Sequence, residues 1–509
     1  MTTLGPFGFD GGWNTKASAI TLPKGQMPDV QDTQLYYGDL QKRRGSVVVG
    51  SALTGAPAVH GHGQWQSAAG QQYAIRTGGT YFQKMEDLDG TWDNITGAVT
   101  ITSGQDNQSS FASLNNILVR CGGTTPDAPI KWTGAGNADL LGGSPPSGNL
   151  LTVANNFMFL SGVVAVPSRV YWCNVSDPET WTAANWVDFR PSDGDRVTAL
   201  VPLLQNLIIF KKRTFGQLWT IPPSGSASVT LGPLTQIKQG LGCVGGQAID
   251  VLSDGSVAFL GSDAHVYIYD GSNLTDISDP QPPTPSIQPT LDALGILRLP
   301  YSVLRSYPTR KQIWISVSNG SSPTHNLILI YDIVMKSWAK FSNINANAMG
   351  IVNDTRTTPN HPYVMLTGNY SGNSYEQDNG FVNPENATTA IDGYGTVSLQ
   401  LSGDATDFIP RSLMVSYESQ TGGSIEVNYG YNDFTNTSKT KSVSMVPSGG
   451  ALDAFVLGTD VLGGVGYLRK AVILNSQQKT SSIQVQFRNR NGGEDFTIHP
   501  FYLSDEVLT

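Results

Sequence analysis

Charge is what this 509-residue chain has least of: only 14% of its residues are Asp, Glu, Lys or Arg, against about 25% in an average globular protein. Gly, Ser, Thr and Asn are abundant in their place, which favours strands and turns with an uncharged polar surface. The net charge of −9 argues against a protein that coats nucleic acid, because phosphate neutralisation needs clustered cations. Cysteine is scarce as well. Cys121, Cys173 and Cys243 stand far apart, so neither a disulfide framework nor a structural zinc site is predicted, and the three read as small buried hydrophobes. No stretch approaches the roughly 20 apolar residues of a membrane span. The start, Met1-Thr2-Thr3-Leu4-Gly5, has no basic segment followed by an apolar run, so the expectation is synthesis in the cytosol without export.

Catalytic signatures are missing in the same way. The sequence has no G-x-S-x-G elbow, no phosphate-cradling G-x-x-x-x-G-K-[ST] run, no H-E-x-x-H and no calcium loop. His60-Gly61-His62 is the one close histidine pair, with no Cys, Asp or Glu within ten residues to complete a ligand set, and a solvent-exposed loop is expected there. Glu86-Asp87-Leu88-Asp89-Gly90-Thr91-Trp92 is a little like the Asp-box turn of sialidases but lacks a residue between Gly90 and Thr91. It reads as an acidic hairpin closed by a packed Trp92. Asp193-Gly194-Asp195-Arg196 reads as a strand connection with a local ion pair. No metal, cofactor or catalytic residue is assigned, and the chain is expected not to be an enzyme.

What is present is a repeat. Apolar runs, each followed by a polar turn and a second run, begin at Tyr73, Ile117, Phe157, Leu207, Val257, Ile313 and Tyr363, at spacings of 44, 40, 50, 50, 56 and 50. Each unit has room for about four strands of five or six residues. In the fourth, Val197–Leu200 precedes the hairpin and Val229–Leu231 follows it. In the fifth, Ser253-Asp254-Gly255 joins two strands. Four strands per 40 to 50 residues predict a β-propeller of about seven blades, six or eight being open alternatives. The proline-rich tract from Ser278 to Pro289 cannot be a regular helix or central strand, and reads as a connection leading to a short helix near Pro289–Leu294.

After a polar break at Asn383–Asp392 the texture changes to clean period-two alternation in seven segments, from TVSLQLSG at Thr396 to FTIHPFYL at Phe496. One polar and one apolar face per strand predicts a β-sandwich, with the Gly-rich stretch Gly449–Gly466 as a loop. The fold class is therefore all-β: a propeller over 61–380, a C-terminal sandwich over 381–509, and residues 1–60 as an N-terminal arm joining them.

That arm carries a resemblance. Its order of G-G-W-N-T from Gly11, L-P-K-G-Q from Leu22, D-V-Q-D from Asp29 and G-D-L-Q-K-R-R-G from Gly38 resembles the N-terminus of the tail nozzle proteins of short-tailed phages (podoviruses). These are also known as tail tubular protein B or packaged DNA stabilization protein. The segment from Val170-Tyr171-Trp172 to Asp177-Pro178-Glu179-Thr180-Trp181 is similar to the family's apolar strand followed by D-P-x-x-W, and the blade-then-sandwich order agrees. The resemblance implies a structural subunit of the virion tail: a homohexameric ring below the head-to-tail adaptor, contacting tail fibres and a distal plug. Double-stranded DNA would pass through it without specific binding. Two basic turns are the candidate subunit contacts, Lys42, Arg43 and Arg44 in the arm and Lys211, Lys212 and Arg213 in the fourth unit. Deleting residues 1 to 49 is then expected to abolish assembly and leave the propeller soluble. The alternative reading is a carbohydrate-binding or glycoside-cleaving propeller, whose activity would be lost on Asp87→Asn or Asp89→Asn.

Overall fold

The computed structural model describes residues 3–19, 21–221, 231–356, 361–386, 390–400, 408–431, 439–446, 467–474 and 480–505. The expected loop Gly449–Gly466 lies outside these residues. Seven four-stranded antiparallel sheets account for the chain from Val59 to Gln377. Their innermost strands are Val59–Gln66, Ser109–Leu114, Leu150–Ala154, Val197–Leu203, Ile249–Val251, Val303–Tyr307 and Ala348–Asn353. Each packs against the next, and the last packs against the first, so the sheets are the seven blades of a closed propeller.

The seven runs read from the sequence are the second strands of the blades, such as Phe157–Ser161 and Ile117–Gly122. A second strand is covered by neighbouring blades on both faces and so becomes apolar nearly throughout. Separate apolar clusters fill the spaces between blades. One joins Trp65, Ile75 and Phe82 of blade one to Leu118 and Trp132 of blade two, and another joins Phe157 and Phe159 of blade three to Leu207 and Ile209 of blade four. No blade could bury both of its faces alone, which is why the repeat closes on itself.

Blade seven takes its outer strand from the arm. Ser46–Val48 pairs antiparallel with Ser374–Gln377, with Val48 opposite Tyr375 and Ser46 opposite Gln377. Nearby, the buried Arg76 of blade one donates to Ser374 Oγ of blade seven (3.2 Å) and to the Ser51 carbonyl (2.8 Å). Its guanidinium lies 4.2 Å from the ring centre of Trp92. The ring is thus sealed where the first and last blades meet.

Among the described residues the sandwich has twelve strands in sheets of seven and five, and four of these come from the arm. Thr3–Phe7, Thr33–Tyr36 and Asp39–Lys42 join the larger sheet, and Asp29–Gln31 pairs with Gly393–Gln400 in the smaller one. The segment read as a single strand, FTIHPFYL, is split at Pro500 into Thr497–Ile498 and Phe501–Ser504, because proline has no N–H for the ladder. Residues 1–60 are therefore no unit of their own: one part is sandwich, one part is blade seven. Phe9, Trp13, Met27 and Val30 of the arm belong to the same apolar cluster as Trp338 of blade six and Val485 and Phe487 of the sandwich.

Two further expectations need correction or placement. The outer strand of blade four is Leu234–Gln239; of the expected Val229–Leu231, Val229 and Thr230 lie outside the described residues. The proline tract does lead into a helix, Gln288–Asp292. No helix among the described residues is long and apolar enough to cross a membrane.

Candidate functional site

The arm's basic turn sits where sandwich, arm and blade six meet, and most of it faces inward. Lys42 and Arg43 are each only 2% exposed. Lys42 Nζ donates to Asn489 Oδ1 (2.6 Å) and to the Asn491 carbonyl (3.1 Å) in the sandwich. Burial pulls its ammonium down to about 8, with Asp495 and Glu494 partly opposing. Arg43 Nε donates to Asp32 Oδ1 at 2.6 Å and its Nη2 donates to the Ser342 carbonyl at 3.2 Å. Asp32 also accepts from the Ser342 backbone N–H (2.9 Å) and hydroxyl, and its own N–H donates to the Lys340 carbonyl (2.9 Å). Beside it Lys340 Nζ reaches Asp29 at 2.7 Å.

A side chain enclosed by its own chain offers no surface to a neighbouring subunit, so Lys42 and Arg43 are withdrawn as subunit contacts. Arg44 alone of the three is exposed, its guanidinium 5.5 Å from the ring centre of Phe381. The turn ends on Gly45 for a steric reason: a Cβ there would lie 2.1 Å from the Val382 carbonyl oxygen. Glu385, in the link between propeller and sandwich, accepts from the Asn345 N–H (2.8 Å) and its Oε1 is buried without a partner. Burial raises its carboxyl to about 7, against the smaller opposing effects of the Asn345 N–H and Arg43.

The second basic turn divides in the same manner. Lys211 is buried, donating to Asp193 Oδ1 (2.7 Å), Ser168 Oγ (3.0 Å) and the Arg190 carbonyl (2.8 Å), and it too is withdrawn. Lys212 and Arg213 are exposed. The acidic turn Asp193–Arg196 is a strand connection with a local ion pair: Asp193 takes Lys211, while Asp195 accepts the backbone N–H groups of Arg196 (2.9 Å) and Arg213 (3.0 Å).

The histidine pair lies in a strand rather than in an exposed loop. The register slips between Val59 and Gly61, and the extra residue of this bulge is His60, so the two rings emerge on opposite faces of blade one. His60 meets Ser109 Oγ of blade two (3.2 Å), and His62 meets Ser374 Oγ of blade seven (3.3 Å). Burial first, and Arg120 and Arg76 respectively, push the two imidazoles down to about 4 and about 3. No group of His, Cys, Asp and Glu able to hold a metal occurs among the described residues. The three cysteines are free and buried, with thiols raised to about 12, 11 and 12 by burial.

In the acidic turn of blade one, Asp89 accepts the Thr91 N–H (2.7 Å) and the buried Trp92 indole donates to the Val49 carbonyl (2.8 Å). The D-P-x-x-W segment is a clasp between blades. Asp177 accepts from the Glu179 N–H and the Thr180 hydroxyl, Trp181 donates to the Pro178 carbonyl, and Glu179 reaches Lys131 of blade two at 2.5 Å.

Two openings lie at the end of the propeller where the innermost strands begin. Two adjoining cavities of about 400 and 660 Å³ share Pro167, Arg196, Thr198, Val244 and Pro300. Sequence reasoning missed them, since their walls come from blades two to six and only folding brings these together.

The architecture thus defines a seven-bladed β-propeller with a sandwich assembled from both ends of the chain. No protein-family model matches the sequence, and no curated protein does. Among solved structures, the chain is similar to the WD40 domain of Pan2 from Neurospora crassa, at 10% identity over 66% of this chain and 94% of that one, TM-score 0.36. It is also similar to BamB from Moraxella catarrhalis, at 8% identity over 68% of this chain and 96% of that one, TM-score 0.36. A chain of a mitotic checkpoint complex matches at 8% identity over 66% and 94%, TM-score 0.39. At such identities and scores, nothing about function passes from these proteins to this one.

Proposed function

We propose that the chain is a non-enzymatic subunit of a viral tail nozzle: six copies form a ring below the head-to-tail adaptor, continue the DNA channel, and contact fibres or a distal plug. The observation that carries the reading is the part played by the arm. The residues that bear the resemblance to the nozzle family are the ones that stitch this molecule together: Trp13 and Val30 in the shared core, Asp32 on blade six, Gly45 against Val382. A motif placed at so many junctions fits a family defined by one propeller–sandwich arrangement. The net charge of −9 also fits a conduit through which a polyanion must slide without being trapped. Within this reading, exposed Arg44 is the remaining arm contact between copies.

Native mass spectrometry tests the proposal. The purified chain, alone or on addition of the adaptor, is expected at six copies. A monomer under both conditions, able to cleave glycans and inactivated by Asp87→Asn or Asp89→Asn, would overturn it.

A further inference from the structure

Residues 293–302, between blades five and six, cross the end of the propeller. Arg298 Nη1 donates to Asp106 (2.6 Å), Gln108 Nε2 donates to the Tyr301 carbonyl (2.6 Å), and the Gly295 N–H donates to the Ser318 carbonyl (3.0 Å), so the segment is pinned to the connection that precedes blade two and to blade six. Its tip nevertheless presents Ile296 and Leu297 to solvent, 78% and 85% exposed, and Val164 from blade three is 73% exposed at the same cavities. Single exposed aliphatic residues are ordinary; three on the rim of one groove mark an interaction surface.

The same cavities carry cations. Arg196 and Lys212 line the larger cavity and Arg213 adjoins them. All three are exposed, and none of the three side chains has an ion pair or hydrogen bond among the described residues. Of the nearby carboxylates, Asp193 is paired with Lys211, while Asp195 lines the same cavity and offsets one of the three charges, so the cations remain in excess. On a chain of net charge −9, an excess of cations at cavities that also carry exposed aliphatic side chains is a matched pair of features.

We propose that this groove docks an extended segment of a partner polypeptide in which acidic and aliphatic side chains alternate. The carboxylates would meet Arg196, Lys212 and Arg213, and the aliphatic groups would cover Ile296, Leu297 and Val164. The proposal stands independently of the nozzle reading. Nucleic acid fits the groove less well: an aliphatic rim would face phosphates, and the aromatic ring that lines it, Tyr301, is half-buried with the Arg298 guanidinium 4.7 Å from its centre, leaving no free face for base stacking.

Fluorescence anisotropy with the full chain tests this with three labelled probes of equal length: a peptide of alternating Asp and Leu, the same peptide with Lys for Asp, and single-stranded oligothymidine. The Asp/Leu peptide is expected to bind at least tenfold more tightly than either of the others, and less tightly as salt is raised. The triple variant R196A/K212A/R213A and the single variant Leu297→Asp should each weaken it at least tenfold, with unchanged thermal melting. Val334→Asp, exposed at the far end of blade six, should not. Absence of binding, equal binding by the triple variant, or tighter binding of oligothymidine would overturn the proposal. So would self-association that these same substitutions abolish, since the occupant would then be a second copy of the chain.

Discussion

The least exposed charges hold this molecule together. Asp32 and Arg43 are both buried, at a junction of arm and blade six, and losing one partner strands the other without water. Asp32→Ala is expected to lower stability by about 3–5 kcal/mol, and the double variant with Arg43→Ala by less than the sum of the two single ones, read from urea unfolding midpoints. The buried histidines give a second test. His60, His62 and His325 have values lowered to about 4, 3 and 4, with burial as the main cause, while in the unfolded chain a histidine titrates near 6.5. The unfolded state therefore takes up protons first as the pH falls below 6.5, and stability should drop by about 2 kcal/mol per histidine between pH 6.5 and 5. Glu385, raised to about 7, works in the opposite sense, gaining stability as pH falls from 7 toward 4.5. Comparing unfolding midpoints at pH 7 and 5, His62→Gln should show a smaller loss than the unsubstituted chain; an identical loss would exclude His62 as a source. None of these roles was legible in the sequence. A charged or imidazole side chain defaults to the surface unless its partner is known, and the partners of Lys42 and His62 lie 447 and 312 residues away, while the Asp32–Arg43 pair is buried by blade six, about 300 residues later.

At the scale of elements, legibility follows burial. The second strands of all seven blades were readable because enclosure on both faces enforces apolar runs. The outermost strands were not, since pieces such as Asp93–Asn94 and Asp139–Leu140 are two exposed residues long. In blade four the outer strand, Leu234–Gln239, is polar and mostly exposed, with no apolar run to mark it. The strand that closes the ring, Ser46–Val48, exposes both valines and pairs with a segment more than 300 residues later, so no local signal marks it. Its position alters the expected outcome of removing residues 1 to 49. That deletion takes one strand from blade seven and four from the sandwich, and should leave an unstable, aggregating chain rather than a soluble propeller. A finer test is Val47→Pro, which deletes one ladder donor opposite Glu376. It should cost about 1–3 kcal/mol and speed amide exchange in Ser374–Gln377 while blades two to five stay protected, as read by hydrogen exchange mass spectrometry.

For the whole molecule, the division of labour between the two ends of the chain matters most. A propeller closed by an N-terminal strand, and a sandwich that takes four strands from the same arm, cannot move far apart without breaking sheet ladders. Rigidity of that kind is what the proposed role as a wall element of a ring would require. The N-terminal arm is the seam that makes one body of two domains. Electron microscopy of the purified chain mixed with the adaptor ring tests the account most directly. It predicts class averages with six-fold symmetry around an open axial channel; isolated single propellers, with the adaptor ring left bare, would contradict it.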